Sequence, residues 1–565
     1  MEIKRKTQND LNKAIIALDR KPSREYRTIA GTFSFDDFEL IIDYIPENPE
    51  KTPSRLRANM PLKNTKFPFD IFNTKSREIA ARDFIARHFA DKAERYSLSA
   101  GSGKSGHISI DRQSLELLET NAVVIGEDSI EVRFSVQLPE KFGNVNCKDA
   151  VELFMKRIPG LLHDCLLFNN LDGEELANCI ETNEDADFIR KALPERGLAA
   201  FVADGSVLRL EGSRVVKDPA PFRSPKELSV TFDCPNRGEI SGMGIPAGIT
   251  VLNGGFFQGK STLLRAIELG VYNHVCGDGR EFIITVPDAV SIRSEEGRRV
   301  ENVDISPFIA AKSRQFDADH YSTQEASPAV SMAANIMEAL EIGTSLLLFD
   351  DEEMVHTFAG RDARMQAIVP KKSEPVSSLL DHLPVLRDKH GISSIVVGAS
   401  GDYFDIADTV IVIDNYKLTD VTEQAKKIVK EHPTGRTVES KNAIPMPRGR
   451  CPLNHSLEPV KSKNSDRSRP QGKRFVQYGD EFIDVSYVTQ FVNQSQSRAI
   501  SRGISMVYKV MDSSTSLKDA ISKVMVRVDT IGLDALSNRL MGDMASFRPH
   551  ELAAAINRMR KMKAK

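Results

Sequence analysis

The chain has 565 residues, 41% of them apolar and 27% charged, and a formal charge of −3. That length exceeds what one hydrophobic core serves, so more than one domain is expected, and the composition is that of a folded globular protein. No apolar run reaches the roughly 18 residues a membrane helix needs, which argues against a membrane partner, and the near-neutral balance leaves nucleic acid to local patches.

The first residues, Met1-Glu-Ile-Lys-Arg-Lys6, lead into polar and acidic residues and read as neither a signal nor a transit peptide, so the expected location is cytoplasmic. Cys147, Cys165, Cys179, Cys234, Cys276 and Cys451 contain no C-x-x-C pair, as expected of reduced thiols rather than a disulfide frame or zinc site. Residues 1–225 mix a helical period over Ser76 to Phe89 with the alternation Ser129-Ile-Glu-Val-Arg-Phe-Ser-Val136, which predicts an α+β domain. Within it, Gly101-Ser-Gly-Lys-Ser-Gly106 mimics half a phosphate loop, but Leu98 holds the first-glycine position. A basic loop that touches nucleic acid with Arg55, Arg57, Lys104 and His107 is one reading, and a plain hairpin turn is the other.

From 226 to 435, β-rich runs alternate with helical stretches: Leu228 to Phe232, Ile249 to Leu252, Glu281 to Val286, Ser345 to Phe349, Ser394 to Val397 and Val410 to Ile413. This is the pattern of a nucleotide-binding α/β core. Inside it, Gly254-Gly-Phe-Phe-Gln-Gly-Lys-Ser261 fits G-x-x-x-x-G-K-[ST], between the strand-like Ile249 to Leu252 and a helical pattern of Leu263, Leu264, Ile267 and Leu269. Gly254, Gly255, Phe256, Phe257, Gln258 and Gly259 bring their amides round a phosphate. Lys260 neutralises its oxygens, and Ser261 with Thr262 opens a helix whose dipole favours the anion. ATP with Mg²⁺ is the expected ligand pair, held by Ser261 and by Asp350, the strand-end carboxylate of Leu346-Leu-Leu-Phe-Asp350. Asp351 and Glu352 are the candidates to position the attacking water, with Lys260 on the transferred phosphate. Asp351 is one methylene shorter than a Glu would be, so its carboxylate is withdrawn by about 1.5 Å, and slow hydrolysis or reliance on an intervening water is expected.

Residues 436–475 are rich in Pro, Lys and Arg and predict a basic linker or insert. Its Lys461, Lys463, Arg467, Arg469, Lys473 and Arg474 are either a phosphate surface or a solvated face. Residues 476–565 predict a small, mostly helical domain with a basic tail. His356, His382 and His390 lack the partners of a metal site. Phe222 and Phe232 are both candidates to stack on adenine.

Several segments in one order resemble the family of predicted ABC-class ATPases: Ser54-Arg-Leu-Arg57, Ala200-Phe-Val-Ala-Asp-Gly-Ser206, Gly242-Met-Gly-Ile-Pro246, Val303-Asp-Ile-Ser-Pro-Phe308, Arg361-Asp-Ala-Arg-Met-Gln366 and Gln494-Ser-Gln-Ser-Arg-Ala-Ile500. The relatives include a kinetoplastid mitochondrial RNA-binding protein. The resemblance implies an ABC-type P-loop core between an N-terminal α+β and a C-terminal mostly helical domain. It also implies a homodimer that sandwiches ATP, and RNA or another single-stranded nucleic acid bound by the flanking domains. Ser327 stands where the family's signature loop meets the γ-phosphate of the facing subunit.

The chain departs from the family at three places. Ala326-Ser-Pro-Ala-Val-Ser331 replaces Ala-Ser-Gly-Ser-Thr-Ser, Asp350-Asp351 replaces Asp-Glu, and Met354-Val-His-Thr-Phe358 replaces Ser-Ala-Thr-Asn-Phe. Pro328 has no N–H to offer a phosphate. Ser400, Gly401 and Asp402 occupy the stretch where many ABC proteins carry a histidine. The expectation is tight nucleotide binding with weak or regulated turnover, and a nucleotide-gated binding protein without turnover is the alternative.

Overall fold

Three β-sheets organise the chain, which is described here by a computed structural model for residues 6–49, 52–98, 105–208, 221–310, 317–398, 400–440, 444–459 and 472–565. Two compact units emerge, residues 1–184 with 533–546 and residues 185–532 with 547–565.

In the first unit a seven-stranded sheet runs through Lys6–Thr7, Gly31–Ser34, Glu39–Tyr44, Ser54–Pro61, Ser129–Val136 and Ile108–Ser109, and Val123–Ile125 also pairs with Ser129–Val136. Burial alternates along Ser54–Pro61, so Leu56, Ala58 and Met60 enter the core while Arg55 and Arg57 take the other face. The expected helical stretch lies within Lys75–Tyr96, and its Ile85 and Phe89 join that core. The stretch 533–546 belongs here because Asp534 clamps the buried Arg133 with two bonds of 2.6 Å and Asn121 exchanges hydrogen bonds with Met544. Within the C-terminal region expected as a small helical domain, this stretch thus groups with residues 1–184.

The described residues also form four two-stranded sheets; the second unit holds the other two of the three larger ones. One is antiparallel, in the order Ser229–Cys234, Gly238–Pro246, Leu198–Ala203, Ile283–Thr285. The other runs Val290–Ile292, Leu346–Asp350, Ser393–Val397, Ile249–Asn253, Thr409–Asp414, Lys417–Asp420, parallel except for the closing hairpin. Sequence reasoning set the N-terminal domain's end near 225. Leu198–Ala203 instead pairs on both sides with strands of the second unit, and its six residues are all buried. The parallel strands are continuous apolar runs because helices cover them; Leu346, Leu347, Leu348 and Phe349 are all fully buried. This unit is completed by the helices Lys260–Leu269, Pro328–Ile342, Leu379–His390, Gln494–Val510, Leu517–Ile531 and Pro549–Asn557.

Where it is described, the 436–475 stretch mixes exposed side chains, Lys473 and Arg474 among them, with paired ones. Arg436 pairs with Asp381 at 2.5 Å, and the buried Arg450 pairs with Glu341 at 2.5 Å. Lys461, Lys463, Arg467 and Arg469 lie outside the described residues. The basic tail is likewise woven in: Arg558 is buried against Glu295, and Cys451 and Lys565 exchange backbone hydrogen bonds. No disulfide joins any of the six cysteines, and no described helix is long and apolar enough to cross a membrane.

Candidate functional site

The phosphate loop leaves the C-terminal end of Ile249–Asn253 and enters the helix Lys260–Leu269, the strand end where ligands bind in open α/β sheets. Its backbone needs its glycines. Gly254 has φ +145°, and a Cβ there would stand 2.3 Å from the carbonyl oxygen of Ile413; Gly259 has φ +100°, where L side chains are strained. The Lys260 ammonium is folded back to donate 2.7 Å to the carbonyl of Gly255, so it sits over the concave side of the loop. Ser261 is exposed and Thr262 half-buried at the first helical turn. Phe256 and Phe257 are 79% and 94% exposed, an unusual placement for two adjacent apolar rings.

Asp350 ends its strand 8% exposed, with the Ser261 hydroxyl and the Glu352 amide as hydrogen-bond donors, the latter at 3.2 Å. Burial pushes its carboxyl above the ordinary value; the two donors oppose that, and the neighbouring Glu352 and Glu268 add to it. Glu353, also raised by burial, is ion-paired to Arg293 at 2.7 Å. Glu352 projects into solvent, while Asp351 is half-buried beside Tyr403. The fold thus joins Ser261 and Asp350, which are far apart in sequence. That pair fits a magnesium ion, which takes one or two protein oxygens and completes its octahedron with water and phosphate. Among the described residues no group of three or more His, Cys, Asp and Glu converges to hold a metal without a ligand's help.

Ser327 caps the helix Pro328–Ile342 from the surface, and its side chain makes no capping bond. Pro328 fills the first helical position, where the missing N–H breaks no intrahelical bond, so the substitution costs the helix little while removing one donor from its N-terminus. His382 is buried against Phe308, with ring centroids 4.7 Å apart, and burial lowers its pKa to about 4. Phe222 and Phe232 are 4% and 2% exposed, and Phe232 is sandwiched by Phe201 and Arg196, so neither offers a free face to adenine.

Sequence reasoning missed one neighbour of the loop. The turn at Asn415 and Tyr416 joins Thr409–Asp414 to Lys417–Asp420, and the Asn415 amide donates to the Gln258 side chain. Asn between two β-rich runs is a hairpin signal that could have located it.

In the first unit, Arg55 lies 4.7 Å over the Tyr44 ring and donates to the Met541 sulfur at 2.8 Å. Arg57 is held by Asp43 and Glu131, each at 2.6 Å, so its charge is already matched by two carboxylates. His107 is half-buried beside the strand Ile108–Ser109. Lys104 lies outside the described residues.

Three family models match the chain in order: the N-terminal region of ABC-class ATPases over residues 8–169, the ABC ATPase P-loop domain over 172–450, and the MRB1590 C-terminal domain over 467–565. The uncharacterized protein MJ1628 of Methanocaldococcus jannaschii is 30% identical over 291 residues, a match that covers 48% of this chain and 60% of that protein's length. Among solved structures, the ADP conformation of MJ1267, an ATP-binding cassette of an ABC transporter, is 13% identical with a TM-score of 0.24 and covers 42% of this chain and 96% of its own. An ATP-bound bacterial Atm1-family ABC exporter is 14% identical with a TM-score of 0.23 and covers 50% of this chain and 48% of its own. Scores that low carry no argument here. The three ordered matches, with a phosphate loop and a strand-end aspartate joined in one parallel sheet, place the chain in the family of ABC-class ATPases that carries an MRB1590-type C-terminal domain.

Proposed function

We propose that the chain binds ATP with Mg²⁺ and couples this to closure of a homodimer and to binding of RNA or another single-stranded nucleic acid. The observation that carries the reading is the meeting of Ser261 with Asp350 beside a loop whose lysine already points inward. The loop amides from Gly255 to Ser261 and the helix dipole would hold the β-phosphate, and Lys260 would exchange the Gly255 carbonyl for phosphate oxygens. Magnesium, when bound, would supply positive charge to offset that of the phosphate oxygens. Asp350 keeps the ion's position fixed, and Asp351 is the side chain set to orient water, with Glu352 as its solvent-facing neighbour.

Support for closure comes from Phe256 and Phe257, which stand in solvent beside the site, and from Ser327, whose exposed helix N-terminus is free to meet a phosphate presented by a second copy. The nucleic-acid reading draws on the family's RNA-binding relatives and on Arg55 over Tyr44; Arg57 adds little, being paired already. The short Asp351 and the lost amide at Pro328 favour slow turnover. The expected location is cytoplasmic.

Phosphate release from ATP, equimolar and in excess, with and without single-stranded RNA, tests the proposal against Asp350→Asn as blank. Slow release that depends on Asp350 is the expected outcome. Nucleotide retained intact would make this a nucleotide-gated binding protein, and an absence of bound nucleotide would remove both readings.

A further inference from the structure

The base of the nucleotide lacks a stacking partner among the upstream aromatics, since Phe222 and Phe232 are both buried. The sheet order indicates where that base must lie. Asp350 ends a strand two places to one side of Ile249–Asn253, and the hairpin Thr409–Asp414 with Lys417–Asp420 lies on the other side. Ser261 and Asp350, which would hold a magnesium ion, mark the γ-phosphate end of the site. The opposite end of the nucleotide then leaves toward the hairpin.

Tyr416 stands at that end. Its Cδ1 lies 2.8 Å from where a Cβ on Gly259 would be, so the ring edge rests on the start of the phosphate helix, while the residue is 66% exposed. The hairpin is anchored there by the bond from the Asn415 amide to Gln258. Its backbone is also conspicuous. Asp414 pairs with Lys417 across a two-residue turn in which Asn415 has φ +49° and Tyr416 φ +62°. A turn with both residues at positive φ prefers Asn-Gly, and a bulky ring at the second position is strained. Such strain persists where the side chain has a task. Phe256 does not compete for this role, because its ring faces the Lys260 ammonium at 6.0 Å and so belongs to the phosphate side.

We propose that Tyr416 forms the base-side wall of the nucleotide site, its exposed ring stacking on the purine of a bound nucleoside triphosphate. This rests on the nucleotide reading above and adds the residue that distinguishes a nucleotide from a bare triphosphate.

Calorimetric titration of the full chain with Mg-ATP and, separately, with inorganic triphosphate tests it on wild type, Tyr416→Gly and Tyr416→Phe. Stacking of a base on an aromatic ring makes a loss of about tenfold in ATP affinity the expectation for Tyr416→Gly. Triphosphate affinity should be unchanged, and Tyr416→Phe should stay within about twofold of wild type for both ligands. The melting temperature of Tyr416→Gly should hold or rise, because glycine relieves the turn; a residue serving only the fold would lower it. Equal ATP affinity in Tyr416→Gly and wild type overturns the proposal. A parallel loss for both ligands also does, since the ring would then be supporting the loop. Wild type that binds neither ligand removes the nucleotide reading itself, and the role of Tyr416 with it.

Discussion

Around the helix Pro328–Ile342, charged groups are buried against one another, whereas at the phosphate loop of the same unit they are left for something else to satisfy. Glu295 takes Arg558 at 3.1 Å and the Asn335 amide at 3.0 Å, Glu338 takes Arg298 at 2.6 and 2.7 Å, and Glu341 takes Arg450. Burial alone would raise the Glu295 carboxyl, but Arg558 and Arg298 outweigh it and hold it below the ordinary range. At the loop, the Lys260 ammonium has the Gly255 carbonyl and the Phe256 ring beside it, and burial raises the Asp350 carboxyl. Charge density alone does not mark a site; charge without a matching partner does.

If that contrast is sound, the largest effect of substitution falls on the network. Arg558→Ala strands Glu295 in the interior, and a loss of about 3–5 kcal/mol in unfolding free energy is expected by urea titration. An effect below about 1 kcal/mol would mean that water reaches the cluster. Lys260→Ala should do the reverse. Stability should hold, and ATP affinity should fall by roughly 10- to 100-fold in a binding titration, as for loss of a hydrogen bond to a charged group.

Smaller effects sharpen the view of the loop. Asp351→Glu returns the missing methylene, so phosphate release should rise about tenfold with ATP affinity little changed, measured as single-turnover rate and dissociation constant. Acidity gives the last test. Because Asp350 holds its proton to higher pH in the folded than in the unfolded chain, its contribution to stability is fully present below its unfolded pKa and is lost as pH rises from there through the folded one. Magnesium needs the carboxylate. The magnesium-dependent part of ATP affinity should therefore fade on acidification at a higher pH than an ordinary aspartate would give, and Asp350→Asn should abolish that dependence. Glu295, held low, predicts the opposite sign for the network: stability present above its unfolded value and lost as pH falls through the folded one.

Much of the α/β core was legible because each element carried a local signal. The runs at Ile249, Ser345, Ser394 and Val410 are strands of one sheet, and the loop between strand and helix was readable from eight residues, Gly254 to Ser261. The run at Leu198–Ala203 was equally apolar, yet its sheet was not readable, since a buried strand shows no face that names its partners. Arg450 and Arg558 looked like solvent-facing charge because composition counts a guanidinium and ignores the carboxylate across from it. Leu533–Leu536 and the residues after it followed a helical stretch without a break in composition, and contacts such as those with Arg133, Asn121 and Arg55 show which unit they join.

The sequence by itself determined that this chain carries a phosphate loop, because a glycine pattern at fixed spacing dictates a local backbone shape that few other sequences adopt; the ABC type of the core came from its resemblance to a family. Tertiary structure alone decided that Asp350 meets Ser261, that Arg57 and Arg450 are matched by carboxylates, and that Tyr416 stands over the loop. Those are pairings between distant segments, set by strand order and by which buried charges find partners, and no local propensity encodes them.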